Sequence, residues 1–293
     1  MQGGSAMAEK PVADISIVAP IYNNGRFLTA FIESIVNSTF LPRELILVDD
    51  GSNDESMVVL EKFSYLEYLR VIRLPENRGM PAALNAGVEC AAAKYIMRAD
   101  PDDTFYPERI ECQYQYMEMH PEIDISGCQV QYFQSKTGHN LNTSNFPTRH
   151  TDIVRSFQNG VNGIQHPTVI ARRTVFQAYR YANQTPGEDY DIFSRMARDG
   201  HHFANLHEPL YRMRIHPASS TSNITLKSVQ YIFSTRDRIW GTQSTKARIY
   251  CYYFYIYFYR QYQLKTNILS RHLFLLLAGI VFPARIIKRF TVR

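Results

Sequence analysis

Three carboxylates lie close together in the segment Asp100-Pro101-Asp102-Asp103, directly after the apolar run Tyr95-Ile96-Met97 and Arg98. The run has the composition of a buried strand, so the acidic side chains are expected at its carboxyl end. Like charges at this spacing repel one another unless a cation lies between them. Hard oxygen ligands suit Mg²⁺ or Mn²⁺ together with substrate phosphates and water. The segment therefore predicts a divalent-metal site for a phosphorylated substrate, while an exposed Asp-Pro turn is the alternative.

The stretches around this segment alternate between two hydrophobic periodicities. Short β-branched runs at 15–19 and 45–48 flank residues 27–36, in which apolar side chains recur at helical spacing. Such alternation predicts an α/β fold, with a mostly parallel sheet sandwiched by helices. Ligands of these sheets bind at the carboxyl ends of the strands. Polar residues follow the first, second and fourth predicted strands, so we expect them to share one edge and form one cleft there.

Composition and charge separate the chain into a globular body and a basic end. An apolar content of 45% with 20% charged residues excludes a disordered chain. Residues 241–293 contain nine Lys or Arg and neither Asp nor Glu, so with a net charge of +5 for the whole chain the remaining body carries a formal charge of −4. The four cysteines are widely spaced, which favours reduced thiols in a cytosolic protein over disulfides. Residues 1–10 lack a signal peptide and resemble a cloning remnant before a natural start at Met7.

Several segments occur in an order that is similar to a known family. They are the first strand with its turn, the acidic turn after the second strand, an Asn-Arg-Gly turn, a helix start and the carboxylate segment, at 16–24, 48–54, 77–79, 83–87 and 100–103. In this order and spacing the sequence resembles the family-2 inverting glycosyltransferases of GT-A fold. The resemblance continues at 166–168, 187–190 and 211–216. It implies a Rossmann-like catalytic domain at 11–220, with a nucleotide-binding half (11–106) and an acceptor-binding half (107–220).

The resemblance implies how the donor is held. Pro20, Tyr22 and Asp50 would bind the nucleotide, with Asp50 accepting the imide N–H of uracil or thymine. Asn85 would line the donor pocket, and Asp100 would approach the ribose or the sugar. The residues alone also allow Asp50 to cap the following turn and Asn85 to make local helix bonds.

The resemblance also implies a metal and a base. Asp102 would ligate Mn²⁺ or Mg²⁺, with His216 as a further ligand, and Asp189 would take the proton of the acceptor. Residues expected near the diphosphate or the acceptor are Glu188, Arg212, Arg214 and His166. Two alternatives stay open from the residues alone: a structural role for His216, and for Asp189 stabilisation of a helix N-terminus.

The implied reaction is the metal-dependent, inverting transfer of one sugar from a nucleotide sugar, most consistently a UDP-sugar, to a glycan or lipid-linked saccharide in surface polysaccharide assembly. The Gln-x-x-Arg-Trp motif of processive synthases is absent, because Arg236-Asp237-Arg238-Ile239-Trp240 lacks the Gln. Two alternatives are a nucleotidyltransferase that makes sugar nucleotides and a polyanion-binding protein. The sequence has no basic glycine-rich phosphate loop near the first strand, which argues against a nucleotidyltransferase. The acidic body of the chain would repel phosphates, which argues against a polyanion-binding protein, so no nucleic-acid partner is expected.

Residues 221–293 are predicted to be a helical, aromatic and basic appendage. Tyrosines and phenylalanines crowd 250–262, an apolar run fills 273–282 and basic residues follow at 285–289. Ten apolar residues are too few to span a bilayer, which needs about 20. Aromatic and basic flanks favour a helix that lies in an anionic membrane surface, at the inner face of the cell membrane. Packing of these helices on the catalytic domain is the alternative.

Overall fold

A computed structural model of the chain describes residues 10–182, 187–216, 225–264 and 267–281. Its strands are β1 (Val12–Ile21), β2 (Leu41–Asp49), β3 (Leu69–Arg73), β4 (Tyr95–Arg98), β5 (Thr104–Phe105), β6 (Ile125–Gln134), β7 (Asn140–Thr143), β8 (Ile170–Arg172) and β9 (Phe203–Ile215). Its helices are α1 (Gly25–Val36), α2 (Ser56–Glu61), α3 (Met80–Cys90), α4 (Arg109–Met119), α5 (His150–Gln158), α6 (Arg173–Ala178), α7 (Glu188–Arg198), α8 (Leu226–Trp240), α9 (Lys246–Leu264) and α10 (Ile268–Val281).

The chain divides into two compact units, Met1–His216 and Pro217–Arg293. Three sequence predictions fall outside the described residues: the remnant before Met7, the basic cluster at 285–289 and the boundary at residue 220. All four cysteines are free thiols, as predicted.

One mixed sheet organises the first unit, in the order β3-β2-β1-β4-β8-β6-β9-β5, with β7 paired to β6. Strands β3, β2, β1 and β4 run parallel. Strand β8 pairs antiparallel with β4 and β6, whereas β6 and β9 run parallel. The predicted α/β fold with helices at the C-terminal end is confirmed. The sheet is continuously parallel from β3 to β4, and β8 interrupts this order because it enters between β4 and β6 in the opposite direction.

Burial explains why the first elements form where they do. The side chains of β1 and β2 are enclosed on both faces, as expected of parallel strands covered by helices. Helix α1 buries Phe27, Leu28, Phe31, Ile32 and Ile35, which share one face at helical spacing. The predicted strand and helix patterns at 15–19, 27–36 and 45–48 are therefore confirmed.

Helix α3 lies in unusually close contact with the sheet at Gly87. A Cβ atom at this position would lie 2.5 Å from Cγ1 of Val18 and 3.1 Å from Cγ2 of Val48. Only a residue without a side chain allows the helix to approach β1 and β2 so closely. This contact sets the position of the N-terminus of α3, which begins after Gly79.

The carboxyl ends of β1, β2 and β4 meet at one edge of the sheet. The backbone N–H of Asp50 donates to the carbonyl of Ile21 at 2.8 Å, and that of Ala99 donates to the carbonyl of Val18 at 3.1 Å. The edge shared by the polar segments after these strands is therefore confirmed. Ligands of α/β sheets bind at such an edge.

The second unit is helical, as predicted. Helix α8 starts with a capping box of Thr225 and Ser228 and ends at Gly241, whose φ is +62°. Helices α9 and α10 pack together, with the ring centroids of Phe258 and Phe274 6.4 Å apart. Among the described residues no helix is both long enough and apolar enough to cross a membrane.

Candidate active site

The three carboxylates after β4 form a cluster. Asp100, Asp102 and Asp103 can each present an oxygen so that all three atoms lie within 4.8 Å of one another. Strand β9 ends beside them, where His216 Nε2 lies 2.9 Å from Asp102 Oδ2. The backbone N–H of Arg214 donates to Asp103 Oδ1 at 2.6 Å, which fixes the end of β9 on the cluster. The structure thus brings Asp102 and His216 together across 114 residues of sequence.

Electrostatic repulsion makes this cluster a candidate cation site. Burial raises the pKa of Asp103 well above its usual range, and the negative charges of Asp102 and Asp100 add to that effect. Burial also raises the pKa of Asp100, although the positive charge of Arg98 opposes it. A divalent cation would remove both repulsions, because it favours the ionised form of each carboxylate. Three carboxylates with one imidazole are a donor set that fits Mg²⁺ or Mn²⁺.

Arg98 is a functional residue that sequence reasoning missed. Its side chain is 2% exposed and forms an ion pair with Asp100. The same positive charge opposes the rise that burial causes in the pKa of Asp189, and it adds to the lowering that burial causes in the pKa of His166. The charge of Arg98 therefore acts both on the carboxylate cluster and on the acidic start of α7. A charged residue inside the otherwise apolar strand β4 was the signal that could have identified it.

Asp189 occupies the first turn of α7, as predicted. Its Oδ2 accepts a hydrogen bond of 2.6 Å from Asn162 Nδ2. Burial raises the pKa of Asp189, whereas the hydrogen bonds from Tyr190 and Asn162 oppose that rise. The negative charge of Asp189 in turn raises the pKa of Asp100. The charge of Asp189 therefore acts on the carboxylate cluster, which places the start of α7 in the neighbourhood of that cluster.

Glu188 is the more buried member of the acidic pair, with 7% of its surface exposed. Burial and the adjacent charge of Asp189 raise the pKa of Glu188 to about 7. Its Oε2 atom accepts no hydrogen bond within the part of the chain that the structure describes. A carboxyl group in this environment holds its proton near neutral pH more readily than Asp189 does.

Asn85 and His166 meet at Tyr181. The Asn85 amide accepts a hydrogen bond from the Tyr181 N–H at 2.9 Å and donates one to the Tyr181 carbonyl at 3.0 Å. His166 Nε2 lies 2.8 Å from the Tyr181 hydroxyl. Burial and the charge of Arg98 lower the pKa of His166 well below its usual range, so the imidazole is neutral. The alternative of local helix bonds at Asn85 is wrong, since its partner lies 96 residues away.

Asp50, the residue expected to bind the nucleotide, is fixed in place just after β2. Its two oxygens accept hydrogen bonds of 2.8 Å from the backbone N–H groups of Arg78 and Gly79. Asp49 caps the turn, because its Oδ1 accepts from Ser52 N at 3.1 Å. Each oxygen of Asp50 keeps a second lone pair, so the carboxylate is able to accept one further N–H. Pro20 and Tyr22 lie at the end of β1, where the Tyr22 ring is 47% exposed.

Arg212 and Arg214 alternate with Tyr211 and Met213 on β9 and differ in what they touch. Arg214 Nε donates to the carbonyl of Asp102 at 2.7 Å. Arg212 Nη2 donates to Asn140 Oδ1 at 3.2 Å, and its guanidinium lies over the ring of Phe133. The structure therefore joins Arg214 directly to the carboxylate cluster. The prediction that Arg212 contacts the diphosphate stays a prediction.

Sequence comparison identifies relatives over most of the first unit. The profile described as "Glycosyl transferase family 2" matches residues 16–180. The amylovoran biosynthesis glycosyltransferase AmsE of Erwinia amylovora is 34% identical over 203 residues, covering 68% of this chain and 75% of the relative. The glycosyltransferase EpsE of Bacillus subtilis is 29% identical over 211 residues, covering 68% of this chain and 72% of EpsE.

Solved structures share the fold. TarS 1–349 of S. aureus in complex with UDP-GlcNAc superposes with a TM-score of 0.62 at 18% identity, covering 91% of this chain and 80% of TarS 1–349. The mannosyltransferase PcManGT of Pyrobaculum calidifontis, in complex with GDP-Man and Mn²⁺, gives a TM-score of 0.59 at 12% identity. That match covers 97% of this chain and 79% of PcManGT. At these identities the superpositions establish the fold alone.

Proposed function

The chain belongs to glycosyl transferase family 2 and is a glycosyltransferase, and we propose that it transfers a single sugar from a UDP-sugar to a saccharide hydroxyl with inversion at the anomeric carbon. One observation carries the proposal: the carboxylate cluster has Asp102 beside His216, and Asp189, held by Asn162 at the start of α7, is close enough for its charge to raise the pKa of Asp100. A proton acceptor and a cation site are the two groups that such a transfer requires.

Asp189 is the proposed base. Its carboxylate takes the proton of the acceptor hydroxyl while the acceptor oxygen forms a bond to the anomeric carbon. The bond from that carbon to the diphosphate oxygen breaks on the opposite face, and its electron pair leaves with the nucleoside diphosphate. The hydrogen bond from Asn162 orients the carboxylate and keeps it ionised. A carboxylate that is held in one orientation by a hydrogen bond is suited to act as a general base.

The proposed metal ligands are Asp102 and His216, with Asp100 and Asp103 beside them. A bound Mn²⁺ or Mg²⁺ supplies Lewis-acid neutralisation of the diphosphate as it departs. Arg214, which is anchored to the Asp102 carbonyl, adds positive charge at the same place. The Mn²⁺ in the complex of PcManGT with GDP-Man supports a divalent ion in this fold.

The proposed donor is a nucleotide with a uracil base. Asp50 is fixed by two backbone N–H groups and has lone pairs left for the imide N–H. The exposed ring of Tyr22 is available to cover the base, and Pro20 and Asn85 complete the proposed donor pocket. The UDP-GlcNAc in the TarS complex supports this choice. Thymine presents the same imide, so dTDP-sugars belong to the test.

The proposed acceptor is a saccharide, free or lipid-linked, that is elongated by one sugar at the inner face of the cell membrane. The role of AmsE in amylovoran biosynthesis supports surface polysaccharide assembly. Glu188 adjoins Asp189 at the start of α7, and His166 packs against Phe193 of the same helix. Both residues are proposed to contact this acceptor or the departing diphosphate, as is Arg212.

Donor binding and nucleotide release test the proposal. Titration calorimetry of the full chain with UDP is expected to give binding that requires Mn²⁺ and disappears with a chelator. UDP release from a panel of UDP-, dTDP- and GDP-sugars should then identify the donor. Release of pyrophosphate from a nucleoside triphosphate and a sugar phosphate would instead identify a nucleotidyltransferase. Salt-sensitive RNA binding without any nucleotide-sugar turnover would identify a polyanion binder.

A further inference from the structure

Helix α10 exposes a continuous apolar stripe. The fractions of exposed surface are 82% for Leu269, 56% for Leu273, 61% for Leu276 and 70% for Ile280. Spacings of four, three and four residues place these side chains on one face of a helix. The opposite side of α10 is occupied, since Ala278 is fully buried and Phe274 meets Phe258 of α9. The helix therefore turns its largest aliphatic side chains to solvent.

Helix α9 carries a second exposed stripe, which is aromatic. Tyr250, Phe254 and Tyr257 are 43%, 43% and 46% exposed, and their spacing again defines one face. The other side of α9 packs inward, where Tyr252 and Tyr255 are each 7% exposed and Tyr252 meets Phe233 of α8. Aliphatic side chains together with tyrosines are typical of helices that lie at the boundary between lipid tails and headgroups. Exposed apolar stripes on two helices that pack together mark an interaction site.

The positive charge of residues 241–293 indicates which kind of partner binds the two exposed stripes. Residues 241–293 contain nine Lys or Arg and no acidic residue, and Lys246 at the start of α9 is exposed. A second copy of the chain would bring the same positive charge to the interface, so the two copies would repel each other. An anionic lipid surface instead attracts the basic residues while it receives the apolar stripes.

We propose that the outer face of α10 and the aromatic stripe of α9 bind the surface of an anionic lipid bilayer. Helix α10 has 14 residues, which corresponds to about 21 Å at 1.5 Å per residue. This length is shorter than the hydrocarbon core of about 30 Å, so the helix lies along the surface. The attachment is independent of the proposed transfer reaction, because it needs neither the donor nor the carboxylate cluster.

Co-sedimentation of the full chain with lipid vesicles tests the attachment. Binding is expected to vesicles that mix phosphatidylglycerol with phosphatidylcholine and to fall when phosphatidylcholine is used alone. Raising the salt concentration from about 0.05 to about 0.3 M should weaken it, because the Debye length shortens. The double variant Leu273→Gln/Leu276→Gln is expected to bind anionic vesicles at least ~10-fold more weakly, since two large apolar side chains are no longer buried in lipid.

A matched control uses exposed apolar residues of the first unit. Val58 and Met119 are 59% and 68% exposed, and the variant Val58→Gln/Met119→Gln should bind vesicles as the wild type does. Calorimetry with UDP and Mn²⁺ should give the same donor affinity in both double variants, so failure of the membrane proposal is distinguishable from failure of the transferase proposal. Unchanged vesicle binding by the α10 variant would overturn the assignment. A concentration-dependent dimer lost in that variant, without vesicle binding, would assign the face to a second copy.

Discussion

Two acidic groups in the first unit differ in what surrounds them. The cluster after β4 places three carboxylates beside one another, so each charge opposes the ionisation of its neighbours. At the start of α7, Asp189 accepts hydrogen bonds from two neutral donors, the side chain of Asn162 and the Tyr190 N–H. Repelling carboxylates need a cation, whereas a carboxylate that is oriented by neutral donors is prepared to accept a proton. The surroundings of a carboxylate, more than its residue type, indicate which task it performs.

The largest effect is expected for Asp189→Asn, which should separate the role of Asp189 in the transfer step from that of the carboxylate cluster in donor binding. We expect its transfer rate to fall by about 10³-fold, within the range of about 10²–10⁴ that general base catalysis contributes. Donor affinity should be unchanged, because the carboxylate cluster is intact. UDP release and calorimetry measure the two effects. Asp152→Asn is the matched control, since Asp152 also lies in the first turn of a helix but pairs with Arg149 and Arg155 at the surface. Normal turnover of Asp189→Asn would remove it from the base role.

For Asp102→Ala we expect a loss of donor affinity, in contrast to Asp189→Asn, which should lose transfer rate at unchanged donor affinity. Removal of this carboxylate takes away the atom closest to His216 and should lower the Mn²⁺-dependent affinity for UDP by at least ~10-fold, which corresponds to about 1.4 kcal/mol. Calorimetry with and without Mn²⁺ separates this loss from metal-independent binding. Asp14→Ala is the control, because Asp14 forms only a surface ion pair with Arg43. An equal Mn²⁺-dependent affinity for UDP in the wild type and in Asp102→Ala would mean that the cluster does not hold the ion.

Asn162→Ala tests the orienting hydrogen bond. Loss of this donor removes an interaction that favours the ionised form of Asp189, so the pKa of Asp189 rises. The acidic limb of the profile of kcat/KM against pH should therefore move to higher pH, with a rate reduction of ~10-fold on that limb. Asn159→Ala, at the exposed end of α5, should leave the profile in place. An unmoved limb in Asn162→Ala would reduce Asn162 to a packing role.

The smallest effect is expected for the stability of Glu188→Gln. Glu188 has its pKa raised from 4.5 to about 7 by burial and by Asp189, with Arg98 opposing. Between these values the folded state binds a proton that the unfolded state does not, so wild-type stability falls as pH rises through this window. Gln does not titrate, so the variant should gain Tm relative to wild type between pH 5 and pH 8, by about 2–4 °C for each kcal/mol. A Tm difference independent of pH would contradict the raised pKa.

Local side-chain pattern was sufficient to predict the first half of the fold. The apolar runs of β1 and β2 and the helical spacing of α1 are properties of neighbouring residues, and these elements form where the pattern indicated. The second half of the sheet was not predictable in this way. Pairing of β6 with β9 joins residues that are far apart in sequence, and no local pattern specifies that β8 runs antiparallel between β4 and β6.

The candidate site was predicted in part for the same reason. The Asp-x-Asp-Asp spacing is local, so the cluster was visible in the sequence. The proximity of His216 to Asp102 followed only from the family resemblance, because 114 residues separate them. Arg98 and Asn162 were missed, since their importance arises from partners brought close by folding. Asp50 was expected to face the donor, and its hydrogen bonds to the Arg78 and Gly79 N–H groups, 28 and 29 residues away, were not foreseen.

The close approach of α3 to the sheet links the protein interior to the nucleotide end of the site. Gly87 lets the helix rest on Val18 and Val48, and the same helix begins at Gly79, whose N–H is bound by Asp50. A methyl group at position 87 would lift the helix from the strands and displace that anchor with it. The proposed nucleotide site would therefore respond to mutations in the hydrophobic interior, at a position remote from Asp50 in the sequence.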